Sequence, residues 1–327
     1  MITIKDVAAK AGVSLGTASR VLSKSPHTSA DSRAKVMQAA KQLGYVANGP
    51  AQSLRRARTS ILGLLISDIR NPFFARLALS AEKEARKSGY MVVYGNANED
   101  ADTADEIVQV FSQQRVDGVL FSPQGIMTPH IRSFMETGTP LVLLNRLLEG
   151  IEAPYFGTDN AQGMNQIMQY LHERGHRKVA FVSGPTTIST GLERYRTFIE
   201  SRDRFGFDPD LRLVQIGNFL AESGYRAAQN IIRSGLKPSA IIGANGETTV
   251  GILHALHDCL NTEEARQIEV VSFDDMEWFD FISPRVSAVR NDATSIGREG
   301  AKGLIKLIQG KSVESKKIPT RFIDRST

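Results

Sequence analysis

An α/β fold with a small all-α helix-turn-helix headpiece in front of it is what this 327-residue sequence predicts, and three observations predict it. The opening residues carry short, capped amphipathic segments in the order of a helix-turn-helix. From Ile61 onward, short apolar runs alternate with amphipathic stretches, the pattern of parallel sheets covered on both faces. That pattern restarts near Asp159, after the acidic, proline-containing stretch LEGIEAPYFGTD, so two doubly wound parallel-sheet subdomains are expected in place of one sheet.

In chain order, Thr3 and Asp6 form a T-x-x-D start whose side chains can satisfy amides of the first helical turn. Ile4, Val7, Ala8 and Ala11 follow at helical spacing, Gly12 is free to take positive φ, and Ser14 is placed to cap a second helix. On that helix Val21 and Leu22 can pack inward, while Leu15, Gly16 and Arg20 project from the early turns, the part that enters a major groove in this motif. Thr28 and Asp31 repeat the capping pattern before a third helix with Val36, Ala40 and Leu43 on one face and a stop at Gly44. Next comes NGPAQSLRRAR, with Asn48 as a cap and Pro50 at the first helical position. Helices below about 12 residues are marginal in water, so this one is expected to form only when DNA or a partner chain packs on it. Leu54 stands among Arg55, Arg56 and Arg58 with little apolar company, and a wedge into a minor-groove step accounts for both the leucine and the arginines.

Charge agrees with nucleic-acid contact. Residues 1–60 hold ten Lys or Arg against two acids, a local excess of +8, whereas the rest of the chain is at −3. A basic excess confined to one small segment is the electrostatic footprint of phosphate binding. No apolar run approaches the roughly 18 to 20 residues that span a bilayer, and Met1 leads into a capped helix in place of a secretory signal, so a cytoplasmic location is expected. The lone cysteine, Cys259, excludes an intramolecular disulfide and a cysteine zinc cluster, and its spacing in GILHALHDCL reads as a small core residue. No cofactor and no metal are implied, and no leucine heptad follows the final IDRST, so a coiled-coil tetramer is not expected.

The strands are expected in ILGLLIS, YMVVYGN, DGVLFSP and PLVLLN, then in KVAFVSG, SAIIGAN and EVVSFD. In such sheets ligands bind beyond the carboxyl ends of the strands, so a cleft between two subdomains gathers the residues that follow each run. Those are Asp68, Asn71, Phe73 and Phe74 after the first, Asn145 and Arg146 after the fourth, and Asp159 and Asn160 at the turn between halves. Thr190, Arg194, Phe219, Asn245 and Asp274 follow the later runs. Aromatics with convergent charged and amide groups suit a small polyhydroxylated molecule, with Arg194 and Asp274 taking hydroxyls bidentately. Phe73 or Phe74 can equally start a helix against the core, and Asp274 can cap one.

Two catalytic signatures occur and neither fits its context. Gly12-Val13-Ser14-Leu15-Gly16 matches G-x-S-x-G, but a nucleophile elbow needs a strand before it and here a helix precedes. His172-Glu173-Arg174-Gly175-His176 matches H-E-x-x-H, but Gly175 interrupts the helix that would present both histidines, leaving a surface residue and a turn residue. No phosphate-binding loop or dinucleotide fingerprint is present.

The motifs IKDVAAKAGVS with TASRVL, LGYVAN, AQSLR, RNPFF, VDGVLFS, TDN, ERGHRKVAFVSGP, ESGYRAA and SFDD together resemble the lactose-repressor and galactose-repressor family of bacterial transcription regulators along essentially the whole chain. The resemblance implies a headpiece over residues 1–46, a hinge over 47–60 and an effector-binding, dimerising core over 61–327, of periplasmic-binding-protein-like type. In that core the N-subdomain takes about 61–159 and 291–318 and the C-subdomain about 160–290 and 319–327, the chain crossing near Arg290 and again near Pro319. It further implies a homodimeric repressor on near-palindromic operator DNA, with Phe74, Arg194, Phe219 and Asp274 matching effector-contacting positions most clearly. Arg20 then reads a guanine, Leu15 a thymine methyl, and Gly16 leaves room. Thr17, Ser19 and Tyr45 hold phosphates, and Ser14, Gln52, Leu54 and Arg55 complete the DNA-facing set. Ala47 replaces the usual proline and Gln52 the frequent arginine of the hinge. Asn245-Gly246 replaces the family's Asn-Asp, and Ile188 stands where purine-responsive members have arginine, which favours a sugar or sugar acid. The alternatives are a purine-type co-repressor, a sugar-binding transport component, and a sugar-acting enzyme.

Overall fold

The computed structural model describes residues 2–23, 27–45 and 58–325. Residues 1–60 and 61–327 form two separate compact units. In the first, α1 (Ile4–Ala11), α2 (Leu15–Leu22) and α3 (Ala30–Leu43) enclose a core of mostly small side chains, Val7, Ala8, Ala18, Val21, Val36, Ala39 and Ala40. The Asp6 carboxylate accepts from the Thr3 amide and hydroxyl at 2.7 and 2.8 Å, and Gly12 ends α1 at φ 64°. Ser14 Oγ accepts the Thr17 amide at 3.1 Å, so this serine is a cap with a helix on either side, not a nucleophile on an elbow. The third helix corrects the expected capping. Ser29, not Thr28, is the N-cap, because Ser29 holds the extended backbone that lets its hydroxyl accept the Ser32 amide; Asp31 instead pairs with Lys35 at 2.7 Å. The expected hinge helix, with Gln52, Leu54 and Arg55, lies outside the described residues.

The second unit holds two six-stranded sheets. The first has the order β11-β5-β4-β3-β1-β2 and is wholly parallel, formed by β1 (Ile61–Ile66), β2 (Met91–Asn96), β3 (Gly118–Phe121), β4 (Leu141–Leu144), β5 (Tyr155–Thr158) and β11 (Lys316–Ile318). The second has the order β12-β10-β9-β8-β6-β7, from β6 (Val179–Ser183), β7 (Val214–Ile216), β8 (Ala240–Gly243), β9 (Glu269–Phe273), β10 (Ser287–Arg290) and β12 (Arg321–Ile323), with β12 alone antiparallel. Each sheet therefore repeats one doubly wound order and has one switch point, between β1 and β3 and between β6 and β8. The chain passes between sheets at Asp159, after Arg290 and between β11 and β12. Five strands, β5, β7, β10, β11 and β12, have three or four residues with at least one of them polar or charged, and so did not stand out as apolar runs.

Helices cover both faces. α4 (Pro72–Lys87), α5 (Ala101–Gln113), α6 (Pro129–Glu136) and α12 (Ala293–Ile308) cover the first sheet; α7 (Asn160–Glu173), α8 (Ser189–Phe205), α9 (Ala221–Arg233) and α10 (Gly246–Cys259), with the short α11 (Thr262–Arg266), cover the second. Strand alternation sorts the core, with Leu62, Leu64 and Ile66 of β1 facing one side and Leu65 the other. Gly63 is required between them: a Cβ there would lie 2.7 Å from the Phe111 ring. Among the described residues no helix is long and apolar enough to cross a membrane.

Two expectations fail here. Cys259 is exposed, because it is the last residue of α10 and falls past the end of the stripe formed by Ile252, Ala255 and Leu256. His172 is not a surface residue: its ring packs 5.0 Å from Phe205 in the last turn of α7. His176 lies beyond Gly175 (φ 83°), between Ser239 and Glu269, each at 2.8 Å, so the two histidines do not share a helix face.

Candidate functional site

The headpiece presents α2. Leu15 is 45% exposed, and Arg20 lies along the same surface with its Nε donating to the Gly16 carbonyl at 3.3 Å. Among the described residues nothing needs glycine at position 16, since a Cβ there would meet only Ser14 Oγ, at 3.9 Å. Thr17 and Tyr45 are half-buried, and Ser19 is buried at 8% exposure, so of the three residues expected on phosphates it presents least of its side chain.

The second unit has a cleft where the carboxyl ends of the two sheets face each other. From the first half it is lined by Asn71, Phe73, Phe74, Asn145 and Arg146, and from the second by Thr190, Arg194, Phe219, Asn245 and Asp274. Asp68, also expected here, does not line it: the side chain is buried beside the cleft and takes a bidentate pair from Arg70. Two lining residues, Glu99 and Asn291, were not foreseen. Each follows a strand end, β2 and β10, and the rule that found the others would have found Glu99.

On the first half, Asn71 Oδ1 accepts the Phe73 amide at 2.9 Å and caps α4, with Pro72 at its first position. Phe73 and Phe74 meet edge to face at 5.1 Å and serve both readings at once, packing in the core and lining the cleft. Asn145 takes φ 62°, which turns the chain at the end of β4 and carries Arg146 into the cleft. The Arg146 guanidinium binds Glu99 through both Nη atoms at 2.7 Å and reaches Gln124 Oε1 at 2.8 Å. Gln124 in turn donates to Ser67 Oγ, which shares a hydrogen bond with Ser122. This chain of bonds fixes the guanidinium 5.8 Å from the Phe74 ring and 5.4 Å from Phe219 across the cleft.

The second half is held differently. Arg194 Nε donates to Asn160 Oδ1 at 2.8 Å, Nη1 donates to the Ala244 carbonyl, and the guanidinium lies 3.6 Å above the Phe273 ring. Asn160, expected as a ligand contact, is thus a support behind Arg194, and Asp159 caps α7 through the Gln162 amide. These bonds engage two of the five N–H donors of Arg194, leaving those on Nη2 and one on Nη1 for a ligand. Burial pushes Arg194 down to about 10, against the opposing charge of Asp274. Burial raises Asp274 in turn, opposed by Arg194, the Gly246 amide and Asn291. The Asp274 carboxylate therefore both faces the cleft and receives an amide at the start of α10. Asn245 caps α10 through the Thr248 amide at 2.8 Å and holds the Phe219 carbonyl at 3.0 Å, fixing Phe219 at φ 68°.

The halves are close together. The Leu147 amide donates to Ser189 Oγ at 2.8 Å, and Gly125 leaves no room for a Cβ against the Thr187 carbonyl and Ile188. The residual cavity is about 20 Å³, room for about one water, so a ligand enters only when the halves separate.

Two family models match: "Bacterial regulatory proteins, lacI family" over residues 3–48 and "Periplasmic binding proteins and sugar binding domain of LacI family" over residues 59–326. The chain is 29% identical over 330 residues to the ribose operon repressor of Bacillus subtilis, covering 100% of this chain and 98% of that one. It is 30% identical to the HTH-type transcriptional repressor PurR of Klebsiella pneumoniae, covering 99% and 96%. Among solved structures, a transcriptional regulator CelR–cellobiose complex is 27% identical with a TM-score of 0.72, covering 99% of each chain. The lac repressor dimer bound to operator and an anti-inducer shares the fold, with a TM-score of 0.84 at 23% identity and coverage of 99% and 98%.

Proposed function

This chain belongs to the lacI family of bacterial regulatory proteins, and from that premise we propose that it is an operon repressor whose hold on DNA is set by a sugar or sugar acid in the cleft. The observation that carries this reading is one chain with an exposed, capped α2 in a basic segment and a closable polar cleft in its core. Two copies read the half-sites of a near-palindrome, with Arg20 on a guanine, Leu15 on a thymine methyl, and Thr17 and Tyr45 on phosphates. Exposed apolar side chains at Met91 on β2 and at Phe281 suit burial between two copies of the chain. Effector binding changes how the halves close, and that movement reaches the hinge; such coupling is typically worth about 1–3 kcal/mol. The protein acts without catalysis and in the cytoplasm, where its DNA is.

Fluorescence anisotropy with the full chain and its own promoter DNA, with and without a sugar panel, tests the scheme. Release of DNA by a sugar, with no turnover of that sugar, is the expected result; tightening would make the ligand a co-repressor, and turnover would make the protein an enzyme. The headpiece has its own test in Gly16→Ala. Because a Cβ at position 16 would make only an ordinary contact with Ser14 Oγ among the described residues, alanine should leave the fold intact or more stable by about 0.5–1 kcal/mol, while the added methyl weakens DNA binding. Unchanged DNA affinity would remove α2 from the groove.

A further inference from the structure

We propose that the effector is an uncharged polyol, a neutral sugar and not a sugar acid or sugar phosphate, and that Glu99 is the residue that sets this choice. The inference rests on the reading of the cleft as a carbohydrate site and narrows it.

The first argument is charge balance. Four charged side chains line the cleft, Glu99, Arg146, Arg194 and Asp274, and they sum to zero. Glu99 neutralises Arg146 through two 2.7 Å bonds, with the two side chains only 12% and 3% exposed. Asp274 is the foremost opposing charge on Arg194. An anionic ligand would therefore be a third negative charge against two cations, one of them already salt-bridged, in a desolvated site. Glu247, half-buried outside the lining, is a further carboxyl near Asp68 and Asp274, opposed by Arg70. Glu99 is also placed at a cost: its backbone holds φ 57°, a left-handed region that non-glycine residues rarely take, and its amide is tied to the Ser67 carbonyl at 2.8 Å.

The second argument is hydrogen-bond polarity. Two polar atoms on adjacent cleft-lining residues are buried without a partner among the described residues, Asn145 Oδ1, an acceptor, and Arg146 Nε, a donor. Leaving either unmade costs free energy. A hydroxyl donates and accepts, so hydroxyls satisfy both atoms; a carboxylate or ionised phosphate only accepts and would oppose Asn145 Oδ1 with a lone pair.

Calorimetric titration of the full-length protein with matched triplets tests this: D-ribose, D-ribonate and D-ribose 5-phosphate, and D-glucose, D-gluconate and D-glucose 6-phosphate. The expected result is that a neutral sugar binds at least tenfold more tightly than its acid and its phosphate. In Glu99→Gln the preference should narrow at least tenfold, as Arg146 regains an uncompensated charge. An acid or phosphate that outbinds its neutral parent in the unmodified protein overturns the inference while leaving the carbohydrate reading standing. So does an unchanged preference in a Glu99→Gln protein that melts normally. If no member of either triplet binds, the carbohydrate reading and the inference fall together. The unmodified protein decides the sign of the preference even if the variant does not fold.

Discussion

The two walls of the cleft carry the same number of charges and hold them in opposite ways. On the first half, Arg146 is paired to a carboxylate and bonded to an amide in a network running through Glu99 and Gln124 to Ser67 and Ser122, in which only its Nε is without a partner among the described residues. On the second half, Arg194 is held by neutral oxygens and an aromatic face, and among the described residues no carboxylate forms a salt bridge with it. Its counter-charge, Asp274, acts at longer range and is itself held by Asn291 at 2.7 Å. A cation already paired to a carboxylate is neutralised and fixed before a ligand arrives, whereas a buried cation without a salt bridge gains from what enters beside it. The first wall therefore works as a template and the second as the wall that responds to ligand.

Arg194→Ala is the largest way to break this contrast. It removes the cation from above Phe273, leaves Asp274 buried without its opposing charge, and should cost about 3–5 kcal/mol of stability. Effector affinity should fall at least a hundredfold, read by calorimetry on protein that urea titration shows to be folded. Arg146→Ala strands Glu99, which is partly open to water, and should cost less in both measurements. A larger loss from Arg146 would reverse the assignment of the two walls.

A smaller contrast lies in two helix caps. Asn71 caps α4 on the first wall and Asn245 caps α10 on the second, and loss of either cap costs about 1 kcal/mol. Asn245 also holds the Phe219 carbonyl, so Asn245→Ala should reduce effector affinity severalfold more than Asn71→Ala at a similar drop in melting temperature. Equal effects on binding would mean that Phe219 keeps its place without Asn245.

Both walls were largely legible in the sequence, and each hid one lining residue. Apolar runs announced β1, β4, β6, β8 and β9, and the residues just beyond them carry most of the cleft, because doubly wound sheets put their loops there. Glu99 went unread although β2 was recognised, since it lies in the acidic segment NANEDAD, where a carboxylate looks like solvated surface. Only the fold brings Arg146, 47 residues later, against it. Asn291 was hidden because β10, SAVR, carries a serine and an arginine in its four residues and does not read as an apolar run. Asn160 was legible as a residue near the cleft, but not that it would face Arg194 from behind. Spacing along the chain tells which strand end a residue occupies; it does not tell which of its neighbours is a ligand and which a prop.

Glu247 offers the smallest effect and tests whether the responsive wall is set against negative charge before any ligand arrives. Burial raises its pKa above the ordinary value of 4.5, and Asp68 and Asp274 push the same way, while Arg70 opposes them. A raised carboxyl binds its proton more tightly in the folded protein than in the unfolded chain. Stability from this group is full below the unfolded pKa and is lost as pH rises through the folded value. At neutral pH the charged Glu247 is therefore a liability, and Glu247→Gln should melt higher than the unmodified protein at pH 7, with the gap closing below pH 4.5. The side chain is half open to solvent, so screening keeps the gain small, about 1 °C. A lower melting temperature for Glu247→Gln at pH 7 would mean that Arg70 outweighs the two aspartates, and the cleft would then be less hostile to an anion than its lining implies.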